Sequence, residues 1–437
     1  MRTLEAPGPG PVTLNANLVR AAGKVVVVAD PKCTQARITI STADETGAAA
    51  DAVRDSAATV GANRSLSVDV QGPAGGAVFR DGTGTVHTFH NGSFNSVSIG
   101  SGNVVQVGDV HGNVYIDGDF SSVSFGNGYD DPFADRSANP AEPLSPIEIH
   151  AVVPVGSSLQ CTTDAANIET HGEVNIVNAR SASGNVRVDR ADEVHATSAS
   201  GNVSVGAAET VTAKSASGDV SVGEAETVKA TSASGDVRVR DAIAVTASSA
   251  SGDVRIGSAV TVTASSASGD VEVGTGADVT ARTAVGEINV GQAQKVDART
   301  HSGRIELGAT TDATAIAKRG DVSITNSNGT AYATSGSGNV DVHASGPGRV
   351  TAGSVSGSVS VTASERAVQG EGGLTVKTAG PPGRVQTPPG ANTEAATSQS
   401  ATGERDRTGP GRAAPSRGPA ATPKAGASQS GPARSHS

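Results

Sequence analysis

The sequence predicts an all-β protein wound as a β-solenoid. Three observations carry that prediction: a glycine-marked unit of 17 residues, an aliphatic period of two inside each unit, and a scarcity of large side chains. The chain has 437 residues with 55 Gly, six Phe, three Tyr, one Met and no Trp, so its core has to be assembled from Val, Ala, Ile and Thr. Nine aromatic residues are too few for base-stacking platforms, and a net charge of −10 argues against a nucleic-acid binder. No apolar run approaches the roughly 18 residues of a membrane span.

Residues 1–78 open with strand-like runs, Leu18 to Asp30 and Ala36 to Thr42, followed by an Ala-rich stretch from Ala48 that suits one short helix. They are expected to form a β-rich capping region. Residues 79–140 differ in kind, holding eight of the nine aromatics together with His87, His90 and His111. Paired phrases such as Gly102-Asn-Val and Gly112-Asn-Val point to further β structure, set in as an insertion.

The solenoid is expected over residues 141–366. Its corner glycine, in a Ser-Ala-Ser-Gly or related tetrapeptide, stands at Gly184, Gly201, Gly218, Gly235, Gly252, Gly269, Gly286, Gly303 and Gly320. The second and fourth residues after each Gly are aliphatic, which is a strand with one buried face. Ten residues after each Gly from Gly184 to Gly286 comes another Val (Val194 to Val296), and two positions further a column of Ala from Ala196 to Ala315. The unit therefore reads as strand, polar turn (Asp189 to Asp192 in one copy), second strand and a corner where Gly takes a positive φ. Seventeen residues cannot bury their own Val and Ala, so neighbouring units must stack. Nine regular coils at roughly 4.8 Å each give a rod of about 43 Å. Gly172 reads as the start of a shortened coil, because Gly184 follows only 12 residues later. Gly338 and Gly357 mark irregular end coils. Residues 367–437, rich in Gly, Pro, Ser, Ala and Arg, are expected to be disordered. Residues 381–437 carry a net charge of +4, against −14 on residues 1–380.

Candidate chemistry is sparse. A polar column follows the corner (Asn185, Asn202, Asp219, Asp236, Asp253, Asp270, Glu287, Arg304, Asp321). A carboxylate ladder for divalent cations is one reading. The free interchange of Asn and Asp favours the other, side chains closing the turn on nearby backbone N–H groups. Asp117, Asp119, Asp130, Asp131 and Asp135 form an acidic cluster, and Gly126 to Asp131 resembles a single copy of a calcium-binding β-roll repeat; a solvated loop is the simpler reading. No metal ligand set, cofactor site or catalytic residue is assigned, since no Walker loop, nucleophile elbow or His-Glu-x-x-His is present. Cys33 and Cys161 are expected to be buried, reduced thiols. Partner contact is assigned to the aromatic segment, at Phe89, His90, Phe94, His111, Tyr115, Phe120, Phe125 and Tyr129.

The repeat Ser-Ala-Ser-Gly-[Asp/Asn]-Val-x-Val, preceded by Ile147-Glu-Ile-His-Ala-Val-Val-Pro-Val-Gly156, resembles the bacterial putative-adhesin family, a domain of unknown function built of β-strand repeats. The resemblance implies a β-helical fold and transfers no catalytic residue. The expected function is a non-enzymatic scaffold or adhesin-like binding protein for an unidentified protein or polysaccharide. A self-assembling filament subunit is the alternative, and a polysaccharide-acting enzyme a distant third. With no membrane span and no signal sequence at the start, the cytoplasm is the expected location, with the cell surface by a non-classical route as the alternative.

Overall fold

In a computed structural model the described residues are 1–72, 145–381, 385–386 and 388–395, with five short strands between the first two blocks given by their backbone alone. These residues belong to one compact unit, Met1–Ala396, in which about 14 coils stack along one axis. At the strand spacing of a sheet this is roughly 65–70 Å of stack.

Each regular coil is one long bent strand, Val186–Ser198, Val203–Ser215, Val220–Ser232 and so on, paired in parallel with the coil before and the coil after. The expected strand, turn and second strand are fused. Between Val205 and Thr210 the chain keeps pairing through Ala207 and Ala208, and only Gly206 and Glu209 drop out of register. The short link is itself a third side of the coil because its middle residue is small enough to turn inward. Ala191 is 3% exposed, Ala259 6% and Ala293 5%. Every seventeenth residue in that column is Ala, Gly, Thr or Ser, from Ala191 to Ser327.

Inside, Val203, Val205, Val211 and Ala213 stack on Val220, Val222, Val228 and Ala230, all at most 2% exposed. Three buried Val per coil contribute about 1.5–3 kcal/mol each relative to exposure, an upper figure for a chain whose denatured state is partly collapsed. In-register stacking keeps identical side chains in columns, so one packing solution serves every coil.

Gly172 does not begin a shortened coil. That coil starts at Ala166 and runs unbroken as strand Asn167–Ser181, with a one-residue bulge between Thr170 and Glu173 that takes in Gly172 at φ 82°. At the other end the solenoid continues past residue 366. A short helix, Glu365–Gln369, is followed by strands Leu374–Ala379, Val385–Gln386 and Asn392–Ala395, each paired to the coil before. Leu374 and Val376, each 1% exposed, supply the alternation that average composition hid. Residues 396–437, the remainder of the expected disordered tail, lie outside the described residues.

Residues 1–72 are woven into the stack as well as closing it. Strand Gly23–Ala29 lies between Ile147–Val153 and Asn167–His171, parallel to both. Strand Thr13–Val19 lies between Ser158–Thr163 and Ser65–Gln71. Antiparallel strands then end the parallel ladder: Arg37–Thr42 on Ile147–Val153, Arg2–Glu5 on Arg37–Thr42, and Ala57–Val60 on Ser65–Gln71. Helix Ala48–Asp55 buries Ala49, Ala50, Ala52 and Val53 against this end. The segment after residue 72 departs and returns at neighbouring points, since the Gly72 N–H bonds to the Val19 carbonyl and the Ile147 N–H to that of Ala22.

Candidate functional site

The corner tetrapeptide is a hydrogen-bonded joint between coils. In Ser198-Ala199-Ser200-Gly201 the first Ser is 2% exposed. Its hydroxyl accepts from the Gly201 N–H at 2.9 Å and donates to the Gly184 carbonyl of the previous coil at 3.0 Å. Ser215, Ser232, Ser249 and Ser266 repeat both bonds. The glycine is required here by close approach, because a Cβ on Gly201 would sit 2.5 Å from the Gly184 carbonyl carbon. A positive φ, expected at all nine corners, is found at Gly286, Gly303 and Gly320 (149°, 151° and 123°) and not at the other six. At the first two of these the residue three before is Thr283 or Thr300. Each still donates to the preceding corner carbonyl, while the corner N–H turns to the next coil: Gly286 to the Ser302 carbonyl and Gly303 to that of Arg319.

The polar column after the corner is a second ladder. Asn185 Oδ1 accepts from the Asn202 N–H at 2.8 Å, Asn202 from Asp219 at 2.8 Å, Asp219 from Asp236 at 2.9 Å, and the series runs on to Glu287. It resumes from Asp321 to Asn339. These side chains therefore bridge coil to coil and do not close their own turn. The task needs one acceptor oxygen, which Asn and Asp both have. The second carboxylate oxygens of Asp236 and Asp253 face Arg238 and Arg255 at 2.6 and 2.7 Å. Among the described residues no group of three or more His, Cys, Asp or Glu is placed to hold a metal ion.

The third side of the coil makes a different surface. Its inward residues are small, and the residues on either side point out, so a shallow groove runs along the stack. It has two adjoining stretches, of about 750 and 700 Å³, that meet at Ala242. One rim changes character in blocks of three coils. Asp192, Glu209 and Glu226 come first, then Ile243, Val260 and Ala277, then Gln294, Thr311 and Asn328, each 17 residues after the last. The three acids are exposed and form no ion pair with any described residue. Like charges one coil apart repel by about 1 kcal/mol in water. On the opposite rim, Glu224 and Asp241 are bridged by Arg240; its hydrogen bond to Asp241 and the nearby Glu224 charge hold that guanidinium above its ordinary value. Ile243 and Val260 are 55% and 53% exposed, side by side on adjacent coils. Thr310 and Ser327, in the inward column of the third block, are buried with hydroxyls that find no partner among the described residues.

This groove was not legible from composition, because its rims are outward columns that do not repeat, and other outward columns vary as well. Of the residues assigned to partner contact, Phe89 and Phe94 face each other in the backbone register of a hairpin, beside His90 and Ser93. Phe125 lies on a short strand paired to Val105–Val107. His111, Tyr115, Phe120 and Tyr129, and the acidic cluster at 117–135, lie outside the described residues. Cys161 is buried and free, and Cys33 is half-buried and free. Burial pushes the Cys161 thiol up, far out of the range in which thiolates form.

The Toastrack DUF4097 family matches residues 151–307 and 245–380, together more than half of the chain. The chain belongs to the Toastrack DUF4097 family. Among solved structures, a putative adhesin from Parabacteroides distasonis is similar over 88% of this chain and 97% of its own, at 6% identity and a TM-score of 0.21. No curated protein matches. Within this Toastrack chain the family match begins at the strand Ile147–Val153, and so takes in the regular coils, their corner joints and the groove. No helix among the described residues is long and apolar enough to cross a membrane.

Proposed function

We propose that this Toastrack chain is a non-enzymatic binding scaffold of adhesin-like type, and that the groove on the third side is its recognition surface. The observation that carries the reading is the contrast between columns. Core, corner and Asn/Asp positions repeat the same residue type coil after coil, as joints must. The groove rim instead changes chemistry stepwise along about nine coils, roughly 40 Å, a length suited to a linear macromolecule and not to a small substrate. The test uses the full chain against immobilised peptide and glycan panels, with recovered ligands analysed for cleavage. Reversible binding with every ligand returned intact is expected. Release of reducing ends or peptide fragments would overturn it in favour of an enzyme.

A second reading, a filament subunit, rests on the last strand, Asn392–Ala395, which is paired on one side only among the described residues. An open strand edge is a template for another chain. Light scattering that gives a monomer mass at high concentration disposes of it.

A further inference from the structure

We infer that the acidic and apolar blocks of the groove dock an extended polypeptide segment carrying a short Lys/Arg cluster followed, three to four residues on, by an aliphatic anchor. The inference rests on the binding-scaffold reading and names the chemistry of its partner. Three carboxylates, Asp192, Glu209 and Glu226, stand in line at one-coil spacing, none in an ion pair with a described residue, and Arg190, across from Asp192, is the one cation lining this stretch of the groove. They present an acidic stripe about 10 Å long. The next two positions of the same line are Ile243 and Val260, more than half exposed, where neighbouring columns hide their aliphatic groups inside the coil. From Glu209 to the midpoint of that apolar pair is about two and a half coils, roughly 12 Å. An extended chain covers this in three to four residues.

Geometry also selects how the ligand lies. The coils are paired along the stack on both sides of each rim position, and only isolated residues such as Glu209 fall outside the register, so the groove offers no continuous strand edge for a partner to extend. Recognition has to come from side chains: cations over the acidic stripe and an aliphatic side chain against Ile243, Val260 and the small residues beneath. A polypeptide supplies both on one thread. A cationic polysaccharide supplies the charges without the aliphatic anchor, and so fits only the first block.

The test is fluorescence anisotropy on the full chain with a labelled Lys-Arg-Lys-Ser-Leu-Val-Ser peptide. Its two comparators carry Glu for the three basic residues, or Ser for Leu and Val, and a chitosan oligosaccharide serves as competitor. We expect saturable binding of the first peptide that weakens at least tenfold in Glu209→Lys/Glu226→Lys and at least threefold in Ile243→Ser/Val260→Ser. All four positions are exposed, and circular dichroism checks that the variants keep the wild-type fold. Loss of affinity between 50 and 500 mM salt is expected for the charged contacts. Equal binding by the charge variant or by the Glu comparator overturns the proposal. So does chitosan binding more tightly than the peptide with no effect of the Ile243/Val260 change. If the peptide fails while another panel ligand still binds the wild-type chain in the groove, the partner class is wrong and the scaffold reading stands; if nothing binds there, both fall.

Discussion

Replacing Ser232 by Ala tests the corner joint, because that one hydroxyl serves two coils. Ser232 is 2% exposed; it accepts from the Gly235 N–H and donates to the Gly218 carbonyl, both at 2.9 Å. Ala leaves a backbone donor and a backbone acceptor without that partner in a place water does not reach. An orphaned buried group costs about 1–3 kcal/mol, so the two together should cost about 2–6 kcal/mol, with little offset from hydrophobic gain because the volume change is small. Ser232→Thr should fall between, since Thr283 and Thr300 keep the donated bond while the corner N–H is satisfied differently. The measurement is native-state hydrogen exchange at the Gly235 amide, which reports local opening in a stack whose coils need not unfold together, with urea unfolding as the global check. A loss of protection under threefold in the Ala variant, or Ala and Thr behaving alike, would refute the idea that this hydroxyl holds adjacent coils together.

Gly235→Ala should be more damaging than the serine change, by upwards of about 3 kcal/mol, because its Cβ would meet the Gly218 carbonyl carbon at 2.5 Å; Gly8→Ala, with open space around it, should stay within about 0.5 kcal/mol by urea titration. Asp270→Asn should be near neutral in the same titration, since the amide oxygen keeps the bond to the Glu287 N–H, whereas Asp270→Ala should cost about 1 kcal/mol. With an aromatic disulfide reagent at pH 8 the native protein should release one thiol equivalent, from half-buried Cys33, and a second only after denaturation exposes Cys161, whose buried thiol stays protonated; two equivalents released natively would show that the coil at Leu159 to Thr163 opens.

The regular coils were readable because three independent columns, Gly, Val and Ala, kept one period, and a stacked fold is the arrangement that makes equal spacing useful. What escaped sequence reading escaped for physical reasons. The reason for each corner glycine lies in the coil beneath it: Gly201 is small because Gly184 is close, which no local turn rule contains. The link Asp189 to Asp192 looks like a polar turn, since a single inward Ala191 among charged neighbours gives no alternation. The coil at Asn167–Ser181 was misjudged because Ala166 occupies the corner position and the bulge at Gly172 imitates one. The end coils to Ala395 were lost in a Gly- and Pro-rich average. The groove was missed because periodicity searches reward columns that repeat, and its rim is informative where it stops repeating.

The threading of Gly23–Ala29 between Ile147–Val153 and Asn167–His171 bears on the order in which a nascent chain can assemble. Coils after Asn167 need only the 17 residues just made, and can be laid down one upon another as they emerge. The first layers must hold residues 23–29 unpartnered, and one edge of residues 13–19 open, until well over a hundred more have been synthesised, which makes this end the slow step of folding and the place where a truncated product would be left with raw, adhesive strands.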